Sequence, residues 1–127
     1  MHDNKDKKKL SKDEIKNILN LINLQKLDLA KEEVEEIILK HSKSPILFNL
    51  LGAILFKQNK PIEAINNYNF SIKLDSNYAQ AYNNLGTALH HVGKQQDAIK
   101  SFKKAINLKN DFIRVDYWNT EYLAKLD

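Results

Sequence analysis

A 34-residue period constrains this chain more than any other feature of it. When residues 45–78 are slid onto 79–112, Phe48 falls on Tyr82, Asn49 on Asn83, Leu51 on Leu85, Gly52 on Gly86 and Leu55 on Leu89. Farther along, Lys60 meets Lys94, Ala64 meets Ala98, Ile65 meets Ile99, Tyr68 meets Phe102 and Ser71 meets Ala105. Ile72 with Ile106, Leu74 with Leu108 and Tyr78 with Phe112 complete the match without a gap. A fixed period of this length means stacked units, none of which can bury its apolar face alone. Arrays of this kind present a surface and rarely enclose a reaction centre.

The run Tyr82-Asn83-Asn84-Leu85-Gly86, followed by Leu89, Ala98, Phe102 and Ala105, resembles a tetratricopeptide repeat. That family's signature is a large aromatic, Leu-Gly, an aromatic or Leu, Ala, an aromatic and Ala, carried on two antiparallel helices. Residues 45–78 follow it with Ser71 in the last Ala position, and Ser76 and Asn110 replace the usual closing Pro. The resemblance implies an all-α fold: a right-handed helical solenoid of about three helix pairs with a C-terminal capping helix. Gly52 and Gly86 then belong to first helices, Ala64 and Ala98 to second helices. A mid-helix Gly costs about 1 kcal/mol against Ala. Its recurrence at one phase implies a close contact, and these small residues are expected to face each other so that the two backbones approach.

Residues 1–10 are charged and aperiodic and read as a disordered leader. Ser11 followed by Glu14 is a capping-box pattern that opens a helix running to about Gln25 on Ile15, Ile18, Leu19 and Ile22. A second helix is expected over roughly Asp28 to Lys40, with Ala30 in phase with Ala64. Ile18 stands where the repeats have Gly, and Asn17 where they have Leu. Residues 11–44 therefore read as a degenerate first pair with its helices splayed apart. Ser44-Pro45 reads as an N-cap and first helical residue, and Asn77 as the cap of the helix near Tyr78, with Gln80 reaching back. Asn59-Lys60 and Gly93-Lys94 mark the turns inside 45–78 and 79–112. Residues 113–127 read as a capping helix, making seven helices in all.

Cysteine is absent, so neither disulfides nor thiolate metal sites are available. No apolar run approaches the roughly 20 residues that span a bilayer, and the charged start does not read as a signal peptide. A cytoplasmic setting without membrane contact is expected. The net charge of +4 invites a nucleic-acid reading, but Arg114 is the sole Arg, and Arg is the residue suited to bidentate base and phosphate recognition. Lys73, Lys100, Lys103, Lys104 and Lys109 fall mainly on second helices, where a solvated lysine face is the ordinary outcome. Glu32, Glu33, Glu35 and Glu36 likewise make a solvated acidic face.

Catalytic signals are missing. Three glycines form no phosphate loop, and neither a His-Glu-x-x-His nor a Gly-x-Ser-x-Gly motif occurs. His90 and His91 diverge by about 100° on a helix and cannot share a metal as an i,i+4 pair could. The expectation is a non-catalytic scaffold without cofactor or metal. In the tetratricopeptide family first helices line a concave groove that holds a peptide or a partner helix. Carried over residue by residue, Asn49, Leu50, Ala53, Phe56 and Lys57 would line it, followed by Gln80, Asn83, Asn84, Thr87, His90 and His91, with Ile15, Leu19 and Ile22 at the apolar end. The carboxylate clamp of the family's cochaperones would fall on Asn49, Ala53, Asn84, Arg114 and Trp118. Only Asn84 fits, so a chaperone tail is disfavoured. The arrays also resemble those preceding glycosyltransferase, sulfotransferase or methyltransferase domains in bacterial proteins, which leaves a segment of a larger enzyme as the alternative.

Self-association is the remaining question at sequence level. Phe112, Tyr117, Trp118 and Tyr122 concentrate aromatics at one end, and Leu19, Leu21 and Leu24 lie at the other. A monomer is favoured, with the last helix docked and Trp118 buried, and an end-to-end homodimer is the alternative if it does not dock.

Overall fold

The computed structural model describes residues 9–111, and within them six α-helices and no strand. They are α1 Lys12–Asn23, α2 Leu27–Ile38, α3 Pro45–Lys57, α4 Pro61–Leu74, α5 Ala79–His91 and α6 Gln95–Asp111. Each helix packs on its successor, and α3 also touches α5, so the first helices of successive pairs lie side by side. This is an all-α helical solenoid of tetratricopeptide type. The expected leader, bar Lys9 and Leu10, and the expected seventh helix lie outside the described residues.

Local chemistry sets the boundaries. The capping box closes: Glu14 N–H donates to Ser11 Oγ at 3.0 Å, and Ser11 N–H donates to Glu14 Oε1 at 3.0 Å. That backbone donation holds the exposed Glu14 carboxyl below its ordinary range, against a smaller opposing effect of burial. Pro45 and Pro61 occupy first-turn positions, where the missing N–H costs nothing. Ser44 stands at the N-cap of α3, but its side chain makes no cap bond. The expected Asn77 cap does not form either. Tyr78 is the N-cap of α5, and the Asp75 carboxylate takes the Asn77 N–H at 3.0 Å.

The three intra-pair turns are one device used three times. Gln25, Asn59 and Gly93 lie 34 residues apart and all adopt positive φ, at 62°, 66° and 86°. In each, the following lysine N–H bonds back to a leucine carbonyl at 2.9 Å: Lys26 to Leu21, Lys60 to Leu55, Lys94 to Leu89. These are left-handed helix endings that satisfy orphan carbonyls. Asn59 and Gly93 are legible as turn residues; Gln25 gives no such signal.

The core threads all the pairs. Ile18, Ala30, Val34, Leu47, Ile54 and Ala64 are buried in one cluster that continues through Leu85, Ala88 and Ala98. The nearest neighbours of the two helical glycines across each pair are aromatic rings. A Cβ on Gly52 would stand 2.5 Å from Cε1 of Tyr68, and one on Gly86 would stand 2.5 Å from Cε1 of Phe102. Each glycine makes room for the aromatic ring of its own pair. In the first pair the same two positions hold Ile18 and Val34, both fully buried. There α1 and α2 come close over far less of their length than the helices of the later pairs do. Ser71, fully buried at a position that is Ala105 one repeat on, donates its hydroxyl to the Pro45 carbonyl at 2.7 Å.

Candidate functional site

The first helices α3 and α5 supply most of one side of an open hollow of about 380 Å³. Ala53, Phe56 and Lys57 reach it from α3, Asn84 and Thr87 from α5, Tyr68 from α4, and Asn59 from the turn. The ring of His91, on the last turn of α5, meets Phe56 edge-on at 5.3 Å between centroids. Apolar walls and a few amide and hydroxyl groups are the mixture expected where one peptide side chain is to be seated. Neither α3 nor α5 contains Asp or Glu, so the basic groups Lys57, His90 and His91 face no carboxylate on either helix.

The structure separates the sequence-chosen residues into three groups. Ala53, Phe56, Asn84 and Thr87 meet at the hollow, with His91 behind Phe56. Asn49 and Leu50 do not present themselves as expected: they are 3 % and 7 % exposed and belong to the packed interior. Gln80 and Asn83 are half-buried on α5, and His90 is exposed, with its Nδ1 2.7 Å from Gln95 Oε1. Tyr68 and Asn59 were missed. Tyr68 carries a signal in retrospect, since a glycine opposite an aromatic leaves the ring edge reachable from the groove.

Asn49 is buried for a reason. Its Nδ2 donates to Tyr78 Oη at 3.4 Å, and its Oδ1 accepts from Asn84 Nδ2 at 2.9 Å. A polar side chain can sit inside only when so satisfied. The chain Tyr78–Asn49–Asn84 thus ties the two repeats together through their first helices. Burial pushes the Tyr78 hydroxyl pKa up to about 12, with the Asn49 bond opposing and Asp75 reinforcing the rise. Burial also raises the Tyr68 hydroxyl.

A second hollow, of about 460 Å³, lies at the turn edge between the first two pairs, lined by Gln25, Leu27, Asp28, Gln58 and Lys60. There Gln58 Nε2–H donates to Asp28 Oδ1 at 2.8 Å, which joins the two pairs. Among the described residues no group of three or more His, Asp or Glu could hold a metal, and no helix is long and apolar enough to cross a membrane. Of the lysines grouped on second helices, Lys109 is 7 % exposed and does not join the solvated face.

Comparisons with known proteins agree with this geometry. A family model described as TPR repeat matches residues 52–93, and one described as tetratricopeptide repeat matches 79–112. No curated protein sequence matches the chain significantly. Among solved structures, MamA superposes with a TM-score of 0.70 at 19 % identity, over 77 % of this chain and 57 % of that one. The chain therefore spans little more than half the length of that relative. The second TPR of Spaghetti (RPAP3), bound to the HSP90 peptide SRMEEVD, superposes at 0.71 with 24 % identity, over 76 % of this chain and 89 % of that one. The first TPR of the same protein, with the same peptide, gives 0.74 at 20 % identity, over 87 % and 84 %. Likeness at these identities establishes the fold and nothing further.

Proposed function

Starting from a chain that carries tetratricopeptide repeats over residues 52–112, we propose that it is a non-catalytic scaffold that captures a peptide or partner helix along α3 and α5. The observation that carries this reading is the hollow between those helices, where Ala53, Phe56, Tyr68 and Thr87 leave room for one apolar side chain. Lys57, His90 and His91, with no carboxylate on either helix, favour a neutral or acidic segment over a basic one. Solved relatives of the same fold hold a peptide, SRMEEVD, which supports the mode of binding and not the identity of the ligand. Asn84 serves the junction through Asn49, so the groove's variable readout falls to Phe56, Lys57 and Thr87.

The test is a random-peptide display selection on the full chain, followed by affinities for point variants. Thr87→Arg, at an exposed position, should block the hollow and weaken selected peptides by about tenfold or more, or roughly 1.4 kcal/mol. Lys100→Glu, on a second helix, should leave them unchanged. Peptides that bind Thr87→Arg as tightly as the parent would remove this site.

A further inference from the structure

The two glycine-and-ring contacts of the later repeats differ by one oxygen. Tyr68 on Gly52 and Phe102 on Gly86 bring the same ring edge to the same 2.5 Å from the position of the missing Cβ. Phenylalanine therefore suffices for the packing, and the hydroxyl of Tyr68 answers some other need. Three tyrosines fall among the described residues. Tyr82 donates its hydroxyl to the Ser76 carbonyl at 3.0 Å, and the Tyr78 hydroxyl accepts from Asn49. The Tyr68 hydroxyl has no hydrogen-bond partner among the described residues, although Tyr68 is only 3 % exposed. A buried hydroxyl left unmet is destabilising. Its oxygen is nevertheless not sealed off, and Tyr68 lines the hollow between α3 and α5 together with Ala53, the small residue after Gly52. The unmet group is thus presented where the captured segment is to sit.

We propose that Tyr68 determines the specificity of this hollow, its O–H donating to the side-chain carboxylate of an internal glutamate in the captured segment. The inference rests on the groove reading and deepens it. A wholly apolar side chain would complete the burial of the hydroxyl without meeting it, so the occupant has an apolar stem and an accepting tip. Ala53 and Phe56 offer apolar walls to the stem. An ionised carboxylate can only accept, which matches a phenolic donor, and hydrogen bonds to a charged group are the stronger kind. Lys57 lines the same hollow and adds a cation, while neither α3 nor α5 carries a carboxylate to repel the incoming one. Glutamate is preferred to aspartate because its longer stem reaches a hydroxyl set below the rim.

The probe is the tightest peptide from the display selection, made with an amidated C-terminus and titrated calorimetrically into the full chain. Tyr68→Phe should weaken it about tenfold. The same variant should unfold in urea at an equal or higher midpoint, because it loses an unmet hydroxyl and keeps the ring that Phe102 shows to be sufficient. A purely structural role for Tyr68 would instead lower affinity and midpoint together. Replacing the peptide's glutamate by leucine should weaken binding about tenfold for the parent and no more than about threefold for Tyr68→Phe, since the two changes remove one contact. Selected peptides without an internal glutamate, an affinity untouched by Tyr68→Phe, or additive effects of the two changes would each overturn the proposal. So would a peptide that binds only with a free C-terminus, which would assign the acceptor to the chain end. If Thr87→Arg still blocks binding in those cases, the groove reading stands and the glutamate assignment alone falls. A selection that yields no peptide removes both.

Discussion

The first helix pair and the two later repeats solve one packing problem with opposite choices. In 45–78 and 79–112 the first helix gives up its side chain and the second supplies an aromatic ring: Gly52 with Tyr68, Gly86 with Phe102. In the first pair the bulk is divided, Ile18 on α1 and Val34 on α2, and both are fully buried. What is kept is the filled volume between two helices, and either helix can provide it. The distribution sets the spacing. A glycine lets a ring lie against the backbone, whereas Ile18 holds α1 away from α2, in keeping with the smaller shared length of that pair.

Ile18→Ala should be the costliest change on the first-pair side, at about 2–5 kcal/mol for truncating a fully buried branched chain. In the later repeats the damaging change runs the other way. Gly52→Ala would gain about 1 kcal/mol of helix propensity, but its Cβ meets the Tyr68 ring and overpacking costs about 1–3 kcal/mol. Combined with Tyr68→Val, Gly52→Ala should become neutral or stabilising relative to Tyr68→Val alone. Urea unfolding of the four proteins in that cycle checks this; strict additivity would break the comparison.

Alkali should distinguish the regions next. Burial raises the Tyr68 and Tyr78 hydroxyls above their ordinary value of 10.0, and residues 11–44 contain no Tyr. A folded pKa above the unfolded one means that stability is complete below pH 10 and is lost as pH climbs from there. For Tyr78 the loss continues to about 12 and amounts to at most roughly 3 kcal/mol. Circular dichroism melts between pH 9 and 12, on the order of these two values, should therefore show falling stability. A Tyr68→Phe/Tyr78→Phe variant should lose most of that slope, and an unchanged slope would remove these hydroxyls as its source.

The smallest effect tests what the pairs have in common. Gln25 and Asn59 occupy left-handed φ, where Gly93 already stands in the last pair. Gln25→Gly should stabilise by up to about 1 kcal/mol, and Asn59→Gly by less, because Asn tolerates that conformation better. Equal gains at both sites, measured by denaturant midpoint, would show that the turns are not equivalent after all.

The period of 34 was legible because Gly, Ala and aromatic residues recur at one phase; the family resemblance of those residues implied the fold type, and the pairs Asn59-Lys60 and Gly93-Lys94 marked the turns. The ring that fills the space over Gly52 was not legible, because sequence gives the phase of a residue on its helix and not which side chain lies nearest across from it. Asn49 was placed in the groove because the resemblance carries that first-helix position over to it. Its burial depends on Tyr78, 29 residues away and aligned with no recognised motif position. Asn77 lost its expected cap role to Tyr78, which caps α5 without a side-chain bond, while Asp75 accepts the Asn77 N–H, a local rearrangement that pattern cannot rank.

The location of the compensations bears on how such an array can be rebuilt. Gly52 and Tyr68 lie within one unit, as do Gly86 and Phe102, so each unit carries its own internal match and can be moved as a cassette. The bond from Asn84 to Asn49 crosses a unit boundary. Exchange of the order of these two cassettes would keep both ring-and-glycine matches but bring Leu50, with no amide, to the place from which Asn84 donates. The interior of each unit is therefore portable, while the sequence order of the units is written into a single pair of amides.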